Sequence, residues 1–259
     1  MRVTTWNVNS LNARKARFIE WTCEASPDVI CLQETKMKPE AFPYLELEGM
    51  GYESAHFGQG QWNGVAILSR VGITNVKVGL DGGDGSSEEA RAISASCGGV
   101  SVVCVYVPNG RSLEDDHYRY KLEWLSKLKL HLEKNYRPDQ DLVVAGDFNI
   151  APTDLDVWSP EALIGCTHVS EPERDALREL CEFGLTDSLR KFYPQSGIYS
   201  WWDHRGGAFH KRQGMRIDYL LVSKSVESRL KWALIDRNAR KGEKPSDHAP
   251  VTIEFSPPV

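Results

Sequence analysis

Apolar residues recur along the chain in short β-branched runs and in longer stretches with helical spacing. Helical spacing is predicted over 13–24, 39–48, 115–136 and 170–183. Many strands follow one another without a helix between them, which favours stacked mixed sheets with helices outside over a doubly wound parallel sheet. The predicted strands are 2–6, 29–32, 52–57, 64–68, 74–78, 91–97, 100–107, 142–145, 200–202, 216–222 and 251–255.

Several of these strands end in polar side chains. The apolar run 142–145 leads into Asp147 and Asn149, which lie two positions apart and project to one face of an extended chain. Burying such a group without a partner costs about 1–3 kcal/mol, and more for a charge. A turn or cap explains any one of them equally well, but several together indicate a shared site. The residues at or beside strand ends are Asn7, Glu34, Asp147, Asn149, Asp218, Asp247 and His248.

The donor types in this set point to metal-assisted chemistry. Carboxylates such as Glu34 and Asp247, with no Cys or His at zinc spacing, suit Mg²⁺ or Mn²⁺. His248 directly follows Asp247. With a second, distant aspartate to orient it, this histidine could act as a base or an electrophile. A metal ion, an oriented histidine and several carboxylates together are typical of sites that hydrolyse phosphodiesters.

Composition and charge restrict the class of protein. A chain of 259 residues with 41% hydrophobic content can bury a large core, and without a long linker or a repeat we expect one domain over 1–259. No apolar run approaches the ~18 residues that span a bilayer, and the N-terminus has a strand pattern unlike a signal peptide. Six cysteines without metal-type spacing favour a reduced, cytoplasmic protein. The stretch 81–89, rich in Gly, Asp and Ser, is predicted to be a mobile surface loop.

The net charge of −5 does not provide the basic footprint typical of nucleic-acid enzymes. Cations nevertheless cluster within 14–17, 205–216 and 237–244. Each cluster alone is most simply a solvated surface. A local positive patch on an acidic protein therefore remains compatible with the composition.

Seven short motifs occur in order along the chain. They are WNVNS at 6–10, LQETK at 32–36, NGVA at 63–66, YVPNG at 106–110, GDFNI at 146–150, RIDY at 216–219 and SDHAP at 246–250. This set closely resembles the exonuclease III family, the bacterial abasic-site endonucleases and 3′-exonucleases of the endonuclease/exonuclease/phosphatase superfamily. The resemblance implies an α/β fold of the deoxyribonuclease I type. In that fold, a four-layer αββα sandwich, two mixed β-sheets are flanked by helices and the site lies at one edge.

The resemblance also implies the metal site and the catalytic roles. Glu34 is the expected principal ligand of Mg²⁺, which Mn²⁺ can replace. Asp147 would handle the proton of the attacking water or of the leaving 3′-oxygen, and the sequence leaves open whether it is base or acid. The expected metal-site residues are Asn7, Glu34, Asp147, Asn149, Asp247 and His248, and the expected catalytic residues are Tyr106, Asp147, Asn149, Asp218 and His248.

Within that implied site, the other catalytic residues contact the phosphate or support a residue that does. Asn149 would hydrogen-bond the scissile phosphate or the nucleophile. His248, held by Asp218, and Tyr106 would contact a non-bridging phosphate oxygen and stabilise the transition state.

The implied partner is double-stranded DNA with abasic sites or blocked 3′ ends, bound by a monomer. Trp201 resembles the tryptophan that walls the abasic pocket, and the cationic loop 204–214, with Phe209, is a candidate to enter a groove. His168 lies where the family varies. It would favour 3′ termini if it faced the pocket, but a surface-loop histidine is the preferred interpretation. The predicted DNA contacts are Asn109, Arg111, Trp201, Lys211 and Arg216.

Three functions are compatible with these observations. The leading one is a Mg²⁺-dependent DNA-repair phosphodiesterase that incises 5′ to abasic sites and trims 3′ ends by exonuclease, phosphodiesterase and phosphatase action. The second applies the same chemistry to a lipid, an inositol phosphate or RNA; the motif at 106–110 and Trp201 argue against it. The third is a DNA-binding module with a dead site, which the complete set of expected catalytic groups disfavours.

Overall fold

The computed structural model describes residues 1–80 and 89–257. The surface loop predicted over 81–89 therefore lies, except for its last residue, outside the described residues. The helices are α1 (Leu11–Ala25), α2 (Tyr44–Gly49), α3 (Asp116–Asn135), α4 (Glu171–Glu182) and α5 (Lys224–Glu227). The strands are β1 (Arg2–Asn7), β2 (Val29–Gln33), β3 (Glu53–Phe57), β4 (Val65–Ser69), β5 (Thr74–Val78), β6 (Ala92–Cys97), β7 (Val100–Tyr106), β8 (Leu142–Asp147), β9 (Leu185–Asp187), β10 (Trp201–Trp202), β11 (Gly214–Met215), β12 (Asp218–Ser223), β13 (Leu230–Ile235) and β14 (Val251–Phe255).

Two six-stranded sheets form the centre of the fold. One has the order β13-β14-β1-β2-β4-β3 and the other β5-β6-β7-β8-β12-β9, while β10 and β11 form a small ribbon. The pairs β1–β2 and β7–β8 are parallel, and the remaining neighbours in both sheets are antiparallel. Both sheets are therefore mixed, as the sequence predicts.

The alternation of side chains along each strand separates three apolar layers. On β8, Val143 and Ala145 face the sheet that contains β1, whereas Leu142 and Val144 face outward towards α3 and α4. A third layer packs α1 and α2 against the outer face of β1, β2 and β4. Helix, sheet, sheet and helix are thus stacked in that order, which confirms the predicted four-layer αββα sandwich.

The largest differences from the predicted elements have local causes. Pro43 divides the helix predicted over 39–48 into a 3₁₀ turn, Pro39–Ala41, and α2. Strand β13 was not predicted because it is an edge strand with a half-exposed pattern. Strand β8 extends beyond the predicted 145, to Asp147. Gly146 makes this possible because it lies so close to β7 that an added Cβ would be 1.9 Å from the Val105 carbonyl oxygen.

Two features of the described residues bear on the sequence predictions. The helices of this part of the chain are too short or too polar to cross a bilayer. All six cysteines carry free thiols, as expected for a reduced protein. A single domain over 1–259, a monomeric state and a cytoplasmic location stay predictions.

Candidate active site

The strand register brings the predicted site residues to one edge of the sandwich. Parallel β1 and β2 deliver Asn7 and Glu34 to the same edge. In the second sheet, Asp147 at the end of β8 lies between Tyr106 of parallel β7 and Asp218 of antiparallel β12. Polar groups that would be liabilities at the ends of separate buried strands therefore become one another's partners.

Asn7 joins the two sheets at this edge. Its Nδ2 donates hydrogen bonds to Glu34 Oε1 at 2.8 Å and to Asp147 Oδ2 at 2.9 Å. Its own Oδ1 accepts from the backbone N–H of Asn9. Because the Asn7 side chain is fully buried and held at both ends, it fixes the spacing between the two carboxylates.

A divalent cation would fit between these carboxylates. Glu34, Asp147 and His248 each offer a ligand atom, these atoms lie within 4.8 Å of one another, and they form the one such group found among the described residues. Glu34 Oε2 contacts the ammonium of Lys36 at 2.9 Å. The Lys36 ammonium therefore lies beside Glu34. The carboxylate oxygens of Glu34 and Asp147 suit Mg²⁺ or Mn²⁺ as ligands.

His248 is buried between two aspartates. The Nδ1 atom of His248 is 2.9 Å from Asp218 Oδ2, and its Nε2 is 3.7 Å from Asp147 Oδ2. Burial alone would lower the pKa of the His248 imidazole, but the carboxylates of Asp218 and Asp147 raise it to about 10. A protonated imidazole has no lone pair for a metal. Metal binding at His248 would therefore require loss of this proton, and both predicted roles of His248, phosphate contact and metal ligation, stay predictions.

The Asp147 carboxyl group is suited to proton transfer at neutral pH. Burial raises its pKa to about 7; the charges of Asp218 and Glu34 act in the same direction, and His248 opposes them. A carboxyl group with this pKa can accept or release a proton near pH 7. The neighbouring His248, whose pKa is raised to about 10, stays protonated at that pH.

The raised pKa of His248 predicts a pH dependence of stability in the metal-free protein. Its folded pKa of about 10 exceeds the unfolded value of about 6.5, so its contribution is complete below pH ~6.5 and is lost as pH rises through ~10. We expect the thermal midpoint in EDTA to fall across this window, and the fall to be smaller in Asp218→Asn. Nitrogen-15 NMR of the imidazole is the direct check. Titration of His248 near pH ~6.5 would contradict this expectation.

Tyr106 and Asn149 complete the polar edge. Burial and the charges of Glu34 and Asp147 raise the pKa of the Tyr106 hydroxyl, which therefore remains a hydrogen-bond donor. Asn149 adopts a left-handed φ of 53°. Its backbone N–H donates to Asp147 Oδ1 at 2.9 Å. The turn at Asn149 therefore orients the Asp147 carboxylate as well as its own amide.

Asp247 and Trp201 lie at the rim of this edge. Asp247 accepts hydrogen bonds from Asn9 Nδ2 and Trp201 Nε1, both at 3.0 Å. Lys36 in turn donates to Asn9 Oδ1 at 2.6 Å, so a chain of contacts connects Asp247 to Glu34. Metal ligation by Asp247 stays a prediction, because its oxygens lie outside the group formed by Glu34, Asp147 and His248.

Known proteins resemble this chain over nearly its whole length. A profile of the Endonuclease/Exonuclease/phosphatase family matches residues 4–248. The chain belongs to this family. Exodeoxyribonuclease III of Haemophilus influenzae is 34% identical over 98% of this chain and 100% of that protein.

Solved structures of similar proteins share the whole fold. An AP endonuclease from Archaeoglobus fulgidus superposes with a TM-score of 0.95 at 36% identity, covering 99% of both chains. A 3′ phosphatase from Neisseria bound to a product DNA hairpin gives a TM-score of 0.94 at 39% identity, again over 99% of both chains. These likenesses confirm the family that the seven motifs suggested and its deoxyribonuclease I-like architecture.

Two residues predicted to meet DNA make contacts within the protein instead: Arg216 is buried and Phe209 is half-buried. Arg216 is 1% exposed and forms ion pairs with Asp156 and Asp187, so the predicted DNA contact is wrong. Phe209 packs edge-on against Trp202 at 5.1 Å and does not project as a wedge. Trp202 itself is 1% exposed. Arg216 therefore forms internal ion pairs, and the Phe209 ring packs against the core.

The other predicted DNA contacts are available for binding. Asn109, Arg111 and Lys211 are exposed, and Trp201 is half-buried beside Asp247. Asn109 also donates to Asn149 Oδ1 at 3.1 Å, so the loop after β7 is tied to the active site. Binding of DNA by these four residues stays a prediction.

Sequence reasoning missed Ser200 as a supporting residue of this family site. Its Oγ donates to Asp218 Oδ2 at 2.6 Å and accepts the backbone N–H groups of Ile217 and Asp218. The serine thereby holds the carboxylate that keeps His248 protonated. Ser200 begins the strand predicted over 200–202, but a lone serine at the start of a strand carries too little information to assign it a role.

Proposed function

We propose that this protein is a divalent-metal-dependent DNA phosphodiesterase that incises 5′ to abasic sites and processes 3′ ends. The observation that carries the proposal is the placement of His248 between Asp218 and Asp147, beside the Glu34 metal position. Such a site offers positive charge to a phosphate and a carboxyl group for proton transfer. The activities named for the family relatives support the same chemistry.

In the proposed mechanism, His248 and the Tyr106 hydroxyl donate to non-bridging phosphate oxygens as negative charge develops there. The Asn149 amide orients the phosphate or the attacking water. Asp147, with its pKa of about 7, takes the proton of that water or returns one to the leaving 3′-oxygen. Mg²⁺ at Glu34 would neutralise phosphate charge and lower the pKa of bound water. Asp218 keeps His248 charged throughout.

The proposed substrate is duplex DNA. Asn109, Arg111 and Lys211 are exposed polar or cationic residues that suit phosphate contacts, which position a protein on DNA without reading sequence. Turnover of inositol phosphates or RNA in preference to DNA would favour the second interpretation of the sequence. DNA binding without metal-dependent cleavage would favour the third.

A gel assay with three substrates tests the proposal. The substrates are an abasic duplex, a nicked duplex with a 3′-phosphate and a blunt duplex, each with Mg²⁺ and with EDTA. We expect Mg²⁺-dependent cleavage 5′ to the abasic site and removal of the 3′-phosphate. Cleavage that persists in EDTA, or no cleavage of any of the three, would refute the proposed function.

One observation favours a narrower candidate function directed at 3′ ends. His168 lies against the active site, where its Nδ1 donates to the Asn149 carbonyl oxygen at 2.6 Å. Burial and the charge of Lys121 lower the pKa of His168 to about 4, so its ring is neutral and its Nε2 is an acceptor. The preferred interpretation of the sequence, a surface-loop histidine, does not fit this position.

We expect His168→Gly to raise the ratio of abasic-site incision to 3′-phosphate release about tenfold, since removing the ring makes room for an extrahelical sugar. Rates on the abasic duplex and the 3′-phosphate duplex, measured with the same enzyme preparation, give the ratio directly. The exposed His210 provides the control, and His210→Gly should leave the ratio unchanged. An unchanged ratio in His168→Gly would remove the support for the narrower candidate.

A further inference from the structure

A buried ion pair lies directly behind the active site. Lys121 of α3 and Glu173 of α4 are both 0% exposed and form a short salt bridge. The Lys121 ammonium also donates to the Asn149 carbonyl oxygen at 2.6 Å. Neither side chain takes part in the proposed chemistry, yet the Lys121 amino group is held against the Asn149 carbonyl of the site.

Glu173 extends this contact to the segment that carries His168. Its Oε1 accepts from Thr167 Oγ1 at 2.7 Å and from the His168 backbone N–H at 3.0 Å. Its Oε2 accepts from the Ser170 hydroxyl at 2.6 Å. The carboxylate therefore fixes the 167–170 segment, and through His168 this segment supplies a second donor to the Asn149 carbonyl.

Joining α3 to α4 does not require a buried pair. Lys129 and Glu179 already connect the same helices at the surface, at 3.0 Å. A buried ion pair often contributes no more stability than apolar residues of similar volume. The location of the Lys121–Glu173 pair is therefore better explained by what its ammonium touches, the Asn149 carbonyl.

The residue whose carbonyl Lys121 holds also contacts a catalytic carboxylate through its own backbone N–H. Asn149 has a left-handed φ of 53°, which is sparsely populated for residues other than glycine. With its carbonyl anchored, its N–H points at Asp147 Oδ1. Without the ammonium, the Asn149 carbonyl would face the Glu173 carboxylate with one donor fewer between them.

We propose that Lys121 and Glu173 are positioning residues that hold the Asn149 turn, and through it Asp147, in the geometry for phosphodiester cleavage. This inference rests on the proposed function of the site. The contacts run from Glu173 to Lys121, from Lys121 to the Asn149 carbonyl, and from the Asn149 N–H to Asp147. Loss of the pair should change the rate of the chemical step and leave DNA binding unaffected.

Three variants of the full chain test the proposal. Lys121→Met leaves an unpaired buried carboxylate. Lys121→Met/Glu173→Gln removes both charges and keeps a glutamine at the third helical position, where it still suits the capping box. Lys129→Met/Glu179→Gln is the control on the same two helices. The readouts are kcat and KM on the 3′-phosphate duplex, the thermal midpoint, and hydrogen exchange of the Asn149 amide.

We expect Lys121→Met to lower the thermal midpoint and kcat together. In Lys121→Met/Glu173→Gln the midpoint should recover, whereas kcat stays at least about tenfold low, KM stays within about twofold and the Asn149 amide loses protection. The control should match the parent. Recovery of kcat together with the midpoint, or retained protection at Asn149, would overturn the proposal.

The exchange measurement needs no turnover. If the parent fails to cleave DNA, the proposed function fails, while the protection of the Asn149 amide in the double variant still decides whether Lys121 and Glu173 position this turn.

Discussion

Replacing Glu34 by glutamine is expected to reduce Mg²⁺-dependent cleavage about a thousandfold or more, equivalent to ~4 kcal/mol of transition-state stabilisation. Glutamine keeps an oxygen to accept the Asn7 hydrogen bond but removes the negative charge beside Lys36. The fold and the Asn7 bridge should therefore survive while the metal position loses its principal ligand. Single-turnover cleavage of the 3′-phosphate duplex over a Mg²⁺ titration measures the effect.

Glu46 provides the matched control for this prediction. It is a half-exposed glutamate paired with Lys15 at the surface, so Glu46→Gln should retain the parental rate and Mg²⁺ dependence. Calorimetry of both variants with Mn²⁺ separates lost metal binding from lost chemistry. A Glu34→Gln variant that cleaves at the parental rate would contradict the assignment of the metal position.

Replacing Asp147 by asparagine is expected to lower kcat by about a thousandfold or more and to leave DNA affinity within about threefold. The raised pKa of about 7 means that a neutral side chain is well tolerated at this buried position, so the variant should fold. Asparagine retains an oxygen for the Asn7 bond but cannot accept or release the reaction's proton. Rapid-quench kinetics and fluorescence anisotropy on one duplex give the two quantities.

The control for Asp147 is an aspartate with no contact to the site. Asp154 is exposed and pairs with Arg174, so Asp154→Asn should behave as the parent in both measurements. If Asp147→Asn lost affinity and rate in parallel, Asp147 would serve binding and not proton transfer.

The fold and most of the candidate site could be predicted from sequence because local patterns encode them. β-Branched runs marked the buried strands, and polar side chains at their ends marked the shared edge. Strand β8 shows both signals within a few residues: its apolar run ends in Asp147, and the Asn149 turn follows. Strand β8 packs closely on β7 because Gly146 has no side chain, and a glycine is visible in the sequence.

The residues that sequence could not place depend on distant partners. Arg216 belongs to a family motif, but its burial follows from Asp156 and Asp187, which other segments bring to it. Lys121 looks like any polar position of an amphipathic helix until Glu173 of α4 is packed against it. A charged side chain is buried only where its partner is packed against it, and the sequence pattern does not show which distant residue that partner is.

The most direct test of the metal-dependent phosphate site is anomalous diffraction from crystals of the Asp147→Asn variant grown with Mn²⁺ and a duplex ending in a 3′-phosphate. We expect an Mn²⁺ peak beside Glu34 and the terminal phosphate against His248 and Asn149, with Asp218 still bonded to the imidazole. A peak away from Glu34, or a phosphate bound without contact to His248, would contradict the account.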